Sequence, residues 1–447
     1  MPILPPLRHA AVLLCLFSPA APGLAQSLRF DFGGGTVAPG FIGVQPGDTY
    51  TAGRGYGFEP GVALSAVDRG GTDALRRDFV TAERSFHFTA RVPREGNYRV
   101  TVTLGDAAGE STTSIKAELR RLMAERVTTP RGGFARAVLV VNTRTPAIAA
   151  TAGIAAGAVK LKAPRETVQE AWAWDEAITL EFSGTRPAVC AVEIEPVEVP
   201  TVFLLGDSTV CDQSKEPYSS WGQMLTRWFQ PTVAVANHGE SGETYRDSIG
   251  RRRLDKILSV MRPGDWLLLQ FGHNDQKQVA AGTGGPFTTY KAELARHVEA
   301  FRARGGTPIV VSPMERRRFD EQGRPQATLQ EYAEAARQAA TELGAPFIDL
   351  QAMSLVLYGA LGPDLSARAF AAPEGRVDNT HHNNFGSYQL AKCVAQGIRT
   401  VQPALARHLV SDFTGYNPAR PDDPDRLALP VSGDFTNQRP LGDEANR

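Results

Sequence analysis

Four short blocks carry side chains suited to chemistry: Gly206-Asp207-Ser208, Asn237-His238-Gly239-Glu240-Ser241-Gly242, Gly272-His273-Asn274-Asp275 and Asp378-Asn379-Thr380-His381. They hold a hydroxyl, an imidazole, a carboxylate, a primary amide and glycine-flanked backbone N–H groups, which is what acyl transfer to a serine requires. A serine hydroxyl is a poor nucleophile at its own pKa. It needs a neighbouring base, and the base needs an acid that fixes its tautomer. Asp378 and His381 are three residues apart, so one short loop can hold both and aim the imidazole at a serine on another loop. The oxyanion that develops needs donors already in place. The backbone N–H groups of Ser208 and Gly242 and the side-chain amide of Asn274 are assigned that part, and the missing Cβ at Gly242 lets the backbone approach a substrate.

Other chemistries fit these residues less well. Gly206-Asp207-Ser208-Thr209-Val210 lacks the final glycine of the Gly-x-Ser-x-Gly nucleophile elbow. His381 and His382 are adjacent in an irregular loop with no carboxylate or cysteine cluster to complete a metal site, so no metal and no cofactor is expected. The Asp-x-x-His spacing makes His381 the base and leaves His382 to line the pocket or pack, while His238 and His273 are read as members of polar networks. Gly33-Gly34-Gly35 is a turn rather than a phosphate cradle, because neither the Gly-x-Gly-x-x-Gly spacing nor a following helix is present. Trp172 and Trp174, two apart, would share one face of a strand; packing is favoured over stacking on sugar rings.

These blocks need elements to position them. From Thr201 onward, apolar strands at 202–205, 233–236, 266–271, 308–311 and 347–350 alternate with helical patterns at 221–229, 290–304, 329–343 and 385–401. Such alternation predicts an α/β fold with a parallel sheet covered on both faces, and ligands then bind at the carboxyl ends of the strands. The serine, the two glycine-bearing loops and the Asp-x-x-His loop fall at that edge.

Residues 28–199 read as all-β, with short strands at 84–92, 98–104, 137–141, 177–182 and 188–195 punctuated by Gly, Pro, Asn and Asp. A helix-like insert is expected over 114–126 and a surface loop over the Ala/Gly-rich 147–158. Glu195-Pro196-Val197-Glu198-Val199-Pro200 is an extended linker, so the expected division is 1–25 leader, 26–199 sandwich, 200–410 α/β unit and 411–447 tail. Five prolines in the tail bar a core helix there.

The 447 residues balance 48 Lys+Arg against 48 Asp+Glu, which excludes a nucleic-acid partner bound through gross positive charge. Arg8 and His9, the apolar run 10–17 and Gly23-Leu24-Ala25 read as a secretory leader cleaved before Gln26. The run is far short of the about 20 residues that span a bilayer, and Leu14 is too bulky before Cys15 for lipoprotein processing. A secreted or periplasmic protein with no membrane partner is therefore expected. Cys190, Cys211 and Cys393 remain, an odd and scattered set that reads as buried small hydrophobes rather than a disulfide framework.

The four blocks resemble those of the SGNH/GDSL hydrolases. Within that superfamily, Leu205-Gly206-Asp207-Ser208-Thr209, Gln270-Phe271-Gly272-His273-Asn274-Asp275 and Asp378 to His381 followed by Gly386 resemble the rhamnogalacturonan acetylesterases. Phe30-Asp31-Phe32-Gly33 and Gly55-Tyr56-Gly57-Phe58-Glu59 are similar to the galactose-binding-like β-sandwich that precedes the esterase unit in a bacterial subgroup. The resemblance implies a flavodoxin-like three-layer α/β fold and a metal-free serine esterase acting on acetylated pectic polysaccharide or oligosaccharide. It implies Ser208, His381 and Asp378 as the triad, and Ser208, Gly242 and Asn274 as the oxyanion hole. Glu243 departs from the pattern, since relatives often carry a basic residue there. The competing functions are the same machinery on xylan or on lipid or thioester acyl groups, and a non-catalytic carbohydrate-binding protein. The oligomeric state is not specified by the sequence.

Overall fold

The computed structural model describes residues 27–427 and 429–441; the leader expected at 1–25 lies outside them. The first part is two facing, largely antiparallel sheets. One includes Leu28–Phe32, Gly96–Gly105, Phe134–Thr143 and Val189–Pro196, and the other holds Tyr56–Phe58, Phe86–Arg91, Ser111–Ala117, Arg121–Thr129 and Ala177–Thr185. Alternate residues turn inward and meet in a core of phenylalanines and branched aliphatics. Phe88 meets Phe30, Phe32 and Phe58 edge-on at centroid distances of 5.0, 4.7 and 5.5 Å, the geometry the ring quadrupole prefers.

Three local expectations are corrected. The Ala/Gly-rich 147–158 is not a bare surface loop: Ala147–Ile148 pairs with Gly157–Ala158, and Ile148 and Ile154 are buried against the parallel-sheet core. Residues 114–126 do not form a helix: Ser111–Ala117 and Arg121–Thr129 are paired strands of one hairpin. Cross-strand pairing and burial of Ile115 and Leu122 override the helical preference of the Leu, Met, Ala and Glu residues there. The hairpin turns through Glu118 and Arg120, both left-handed, at φ of 56° and 62°. Trp172 and Trp174 lie in a tight helical turn, Ala171–Trp174, rather than on a strand. Trp174 is buried and its indole N–H donates to Glu166 at 3.0 Å. Packing is thus its role.

The second part carries five parallel strands in the order Phe347–Ile348, Thr307–Val311, Trp266–Gln270, Thr201–Gly206, Ala234–Asn237. Alternation along Thr201–Gly206 explains the layers. Val202 and Leu204 pack with Trp221, Leu390 and Val394 on one face, while Phe203 and Leu205 pack with Leu294, Val298 and Phe301 on the other. A strand buried on both faces has to be apolar throughout. The expected α/β architecture and its preceding all-β sandwich are both present.

The two parts share one sheet. Phe134–Thr143 runs parallel to Ala234–Asn237 through the pair Val141 and Val235, giving a continuous twelve-stranded sheet. The sandwich hairpin also reaches across: Leu119 joins the core on one face of the parallel strands and Leu122 joins the other. Among the described residues, no helix is long and apolar enough to cross a membrane. Cys190, Cys211 and Cys393 are free thiols, all buried.

Candidate active site

Strand Thr201–Gly206 delivers Ser208 to the carboxyl edge of the sheet. At Gly206 a Cβ would lie 2.4 Å from the Gln270 carbonyl oxygen and from a Val210 methyl, so only glycine lets the strand leave the sheet there. The next turn is held by Asp207: its carbonyl accepts from the Val210 and Cys211 N–H groups at 3.0 and 2.9 Å. Its Oδ1 accepts from the Thr209 N–H at 3.0 Å and hydroxyl at 2.7 Å.

The other blocks converge on this serine. His381 Nε2 is 2.9 Å from Ser208 Oγ, and His381 Nδ1 is 3.0 Å from Asp378 Oδ2. Asp378 Oδ1 accepts from the Thr380 and His381 N–H groups at 2.9 and 3.1 Å, so the carboxylate shapes the loop that carries its own partner. Burial opposes ionisation of Asp378, yet the His381 ring, its hydrogen bond and the Arg439 guanidinium outweigh it and hold this carboxyl well below the usual carboxylate range. Asn274 Nδ2 donates to the Glu243 carbonyl at 3.1 Å, tying the amide to the loop that carries Gly242. Gly242 has φ of +74°, a conformation natural to glycine.

The three other histidines in or beside the four blocks take other roles. His382 packs against Phe370 with the rings tilted by 35° and their centroids 4.1 Å apart, and its Nε2 is 2.8 Å from the Tyr358 hydroxyl. His273 Nδ1 is 3.2 Å from Asp207 Oδ2, forming a second carboxylate–imidazole contact behind the serine. His238 is buried between Phe203 and Trp174. Burial, reinforced by the nearby Arg144, Lys256 and Arg253, holds its pKa well below the ordinary histidine value. The sequence reads His238 as part of a polar network; its ring instead packs against these two aromatics.

Three contributors were not legible from sequence. Arg439, on the tail, donates from Nε to Asp378 Oδ2 at 2.8 Å. Leu441 lies over Gly242, where an added Cβ would sit 3.1 Å from the Leu441 Cβ and carbonyl oxygen. With the tail in place Ser208 is 3% exposed and His381 2%, so the serine is covered. The tail is pinned near Ser432, whose hydroxyl donates to Glu181 at 2.7 Å and accepts from Lys116 at 2.7 Å and Arg120 at 3.1 Å. The third is the sandwich-side segment 159–176, whose Lys162 and Arg165 touch the Gly242 loop. Isolated basic residues in Pro-rich or irregular stretches carry no periodic signal. Glu243, the departure from the expected pattern, faces a cation cluster: Arg253 Nε is 2.7 Å from one carboxylate oxygen, and Arg251 and Lys162 are 3.5 and 3.6 Å from the other.

The model of the GDSL-like Lipase/Acylhydrolase family matches residues 204–387, a stretch that holds all four blocks. Rhamnogalacturonan acetylesterase RhgT of Bacillus subtilis is 41% identical over 221 residues, covering 47% of this chain and 94% of the relative. The chain belongs to the GDSL-like lipase/acylhydrolase family. As a GDSL-family protein it is a carboxylic ester hydrolase. Residues 28–126 match a second model, the Beta-agarase/YXIM esterase-like, galactose-binding domain-like family. The uncharacterized esterase YxiM of Bacillus subtilis is 26% identical over 385 residues, covering 83% of this chain and 90% of the relative. Its crystal structure superposes with a TM-score of 0.43 at 24% identity, covering 84% of this chain and 98% of that one. Arg439 and Leu441 lie beyond the segment matched by the GDSL model.

Proposed function

We propose that this GDSL hydrolase is an exported carbohydrate acetylesterase that removes O-acetyl groups from pectic rhamnogalacturonan. The reading rests on the chain of contacts from Ser208 through His381 to Asp378, at 2.9 and 3.0 Å. Ser208 Oγ attacks the acetyl carbonyl while His381 Nε2 takes its proton, and Asp378 stabilises the imidazolium. Donors from the Ser208 N–H, the Gly242 N–H and Asn274 Nδ2 receive the oxyanion. Collapse of the tetrahedral intermediate breaks the bond to the sugar oxygen, and the His381 imidazolium gives that oxygen its proton, so the sugar leaves as a free hydroxyl. Water activated by the same imidazole attacks the acetyl-enzyme, the oxyanion forms again, and collapse releases acetate and Ser208. Apart from the attacking water, the groups these steps use are side chains and backbone amides of this chain. The substrate class is supported by the name of the 41%-identical relative, and export by the leader-like residues 1–25. We take residues 26–199 as a unit, 200–410 as the esterase unit and 411–447 as a tail.

The test is acetate release from native acetylated rhamnogalacturonan, run beside acetylated xylan, with Ser208→Ala as the control. Release from rhamnogalacturonan that the variant loses is the expected result. Serine-dependent release from xylan alone keeps the mechanism and replaces the substrate. Equal release by Ser208→Ala overturns the mechanism.

A further inference from the structure

The sandwich does more than precede the hydrolase. Between its strands lies the irregular segment 159–176, and this segment is pressed against the loop that carries Gly242. Lys162 Nζ donates to the Ser241 carbonyl. That carbonyl and the Gly242 N–H are the two ends of one planar peptide unit. A cationic donor on the oxygen fixes the plane of the peptide and draws electron density from its nitrogen, which makes the N–H a stronger donor. Gly242, at φ of +74°, has no side chain of its own to hold that plane.

Arg165 works one residue away. Its Nη2 donates to Ser241 Oγ at 2.9 Å and to Gln213 Oε1 at 3.4 Å, and Gln213 Nε2 donates to the Ser208 carbonyl at 2.7 Å. One guanidinium therefore links the loop of Gly242 to the turn of Ser208, which together supply two of the oxyanion donors. The same loop carries Glu240 and Glu243, two buried carboxylates. Left uncompensated, they would repel an oxyanion forming nearby. Arg165 Nε lies 3.0 Å from Glu240, and Arg253, held by Glu166 of the segment at 2.7 Å, lies equally close to Glu243.

We propose that Lys162 and Arg165 are positioning residues of the oxyanion hole, Lys162 orienting and polarising the Ser241–Gly242 peptide and Arg165 locking that loop to the turn of the nucleophile. The proposal rests on the reading of Gly242 as an oxyanion donor. The sandwich is then a working part of the active site.

The experiment compares Lys162→Met, Lys162→Arg, Arg165→Met and wild type on p-nitrophenyl acetate, with Ser208→Ala alongside. Loss of a whole donor costs about 10²- to 10³-fold in kcat, so loss of its support is expected to lower kcat by roughly 10- to 100-fold while KM moves less than about threefold. Lys162→Arg, which keeps a cationic donor, should recover most of the loss. Affinity for methylboronic acid, whose serine adduct places an oxygen in the oxyanion hole, should fall by the same factor as kcat, whereas inhibition by acetate should not change. Should Lys162→Met fail to fold, Lys162→Arg and Arg165→Lys keep the charge and alter only its geometry, and a smaller loss of kcat and boronate affinity is still required. Folded variants with unchanged kcat, or with raised KM alone, overturn the proposal while leaving serine catalysis standing. A Ser208→Ala protein as active as wild type would instead remove the reading of the site itself.

Discussion

Arg439 of the tail and His381 of the imidazole loop converge on one carboxylate oxygen: Arg439 Nε lies 2.8 Å and His381 Nδ1 3.0 Å from Asp378 Oδ2. A carboxylate that serves an imidazole must strengthen its hold as the ring gains a proton. A permanent guanidinium on the same oxygen takes part of that capacity.

Replacing Arg439 should therefore free the triad. The Arg439 side chain is 30% exposed, so solvent screens the contact and an effect on the order of 1 kcal/mol or less is appropriate. Arg439→Ala is expected to raise kcat/KM for p-nitrophenyl acetate by about 2- to 5-fold, and the same kinetics would show a decrease if the tail were an obligatory part of the site.

The coupling should pass through Asp378. Asp378→Asn retains the shape but no longer compensates the imidazolium, and loss of about 10⁴-fold in kcat is the scale for such a change. In that background Arg439→Ala should have no effect on kcat/KM. A double-mutant cycle measures this directly; an undiminished Arg439 effect would place its action elsewhere, for example through Leu441 over Gly242.

Much of this site was readable in the sequence because its parts sit where a parallel sheet must put them. Ser208 follows an uninterrupted apolar strand, and the fixed Asp-x-x-His spacing lies just before the helix Asn384–Val401. What was not readable depends on contacts distant along the chain. The helix Leu350–Ser366 is interrupted at Gly362 (φ 69°) and Pro363 and has no single apolar stripe, so the periodic pattern is missing. The hairpin Ser111–Thr129 carries helix-favouring residues whose strand state is dictated by neighbours in the sheet. Arg439 and Lys162 are single cations whose partners lie 61 and 79 residues away.

The segment that holds the oxyanion loop should also be pH-sensitive. Burial, and then the neighbouring Glu240 carboxylate, push the Glu170 carboxyl up to about 9. A carboxyl whose pKa is higher in the folded state binds its proton more tightly there, so its stabilising contribution is complete below about 4.5 and is lost as pH rises toward about 9. Glu170→Gln, a permanent mimic of the protonated form, should leave Tm nearly unchanged at pH 5 and raise it by a few degrees at pH 9 relative to wild type. Thermal melts at the two pH values decide it; a variant less stable at pH 9 would show that the ionised carboxylate, paired with Arg165 at 2.7 Å, is the form the fold uses.

The junction between sandwich and hydrolase should be a costly place to remove a charge. Arg121 Nε meets Asp212 Oδ2 at 2.7 Å with both side chains almost wholly buried, and Arg121 Nη1 donates to the Asn142 carbonyl at 3.2 Å. Asp212 in turn accepts from Asn237 Nδ2 at 2.8 Å, and Asn237 Oδ1 accepts from the Gly239 N–H at 3.1 Å, so the pair also shapes the loop leading to Gly242. Arg121→Met leaves Asp212 buried without its cation, a loss of about 3–5 kcal/mol. Arg99 and Glu195, 3.0 Å apart on the surface, should contribute less than about 1 kcal/mol, so Arg99→Ala is the matched control. If the penalty arises from the orphaned carboxylate, adding Asp212→Leu to Arg121→Met should restore much of the stability. Urea unfolding of the four proteins tests this. A double variant no more stable than Arg121→Met would mean that the guanidinium's bond to Asn142 and its packing, rather than the buried charge, hold the two parts together.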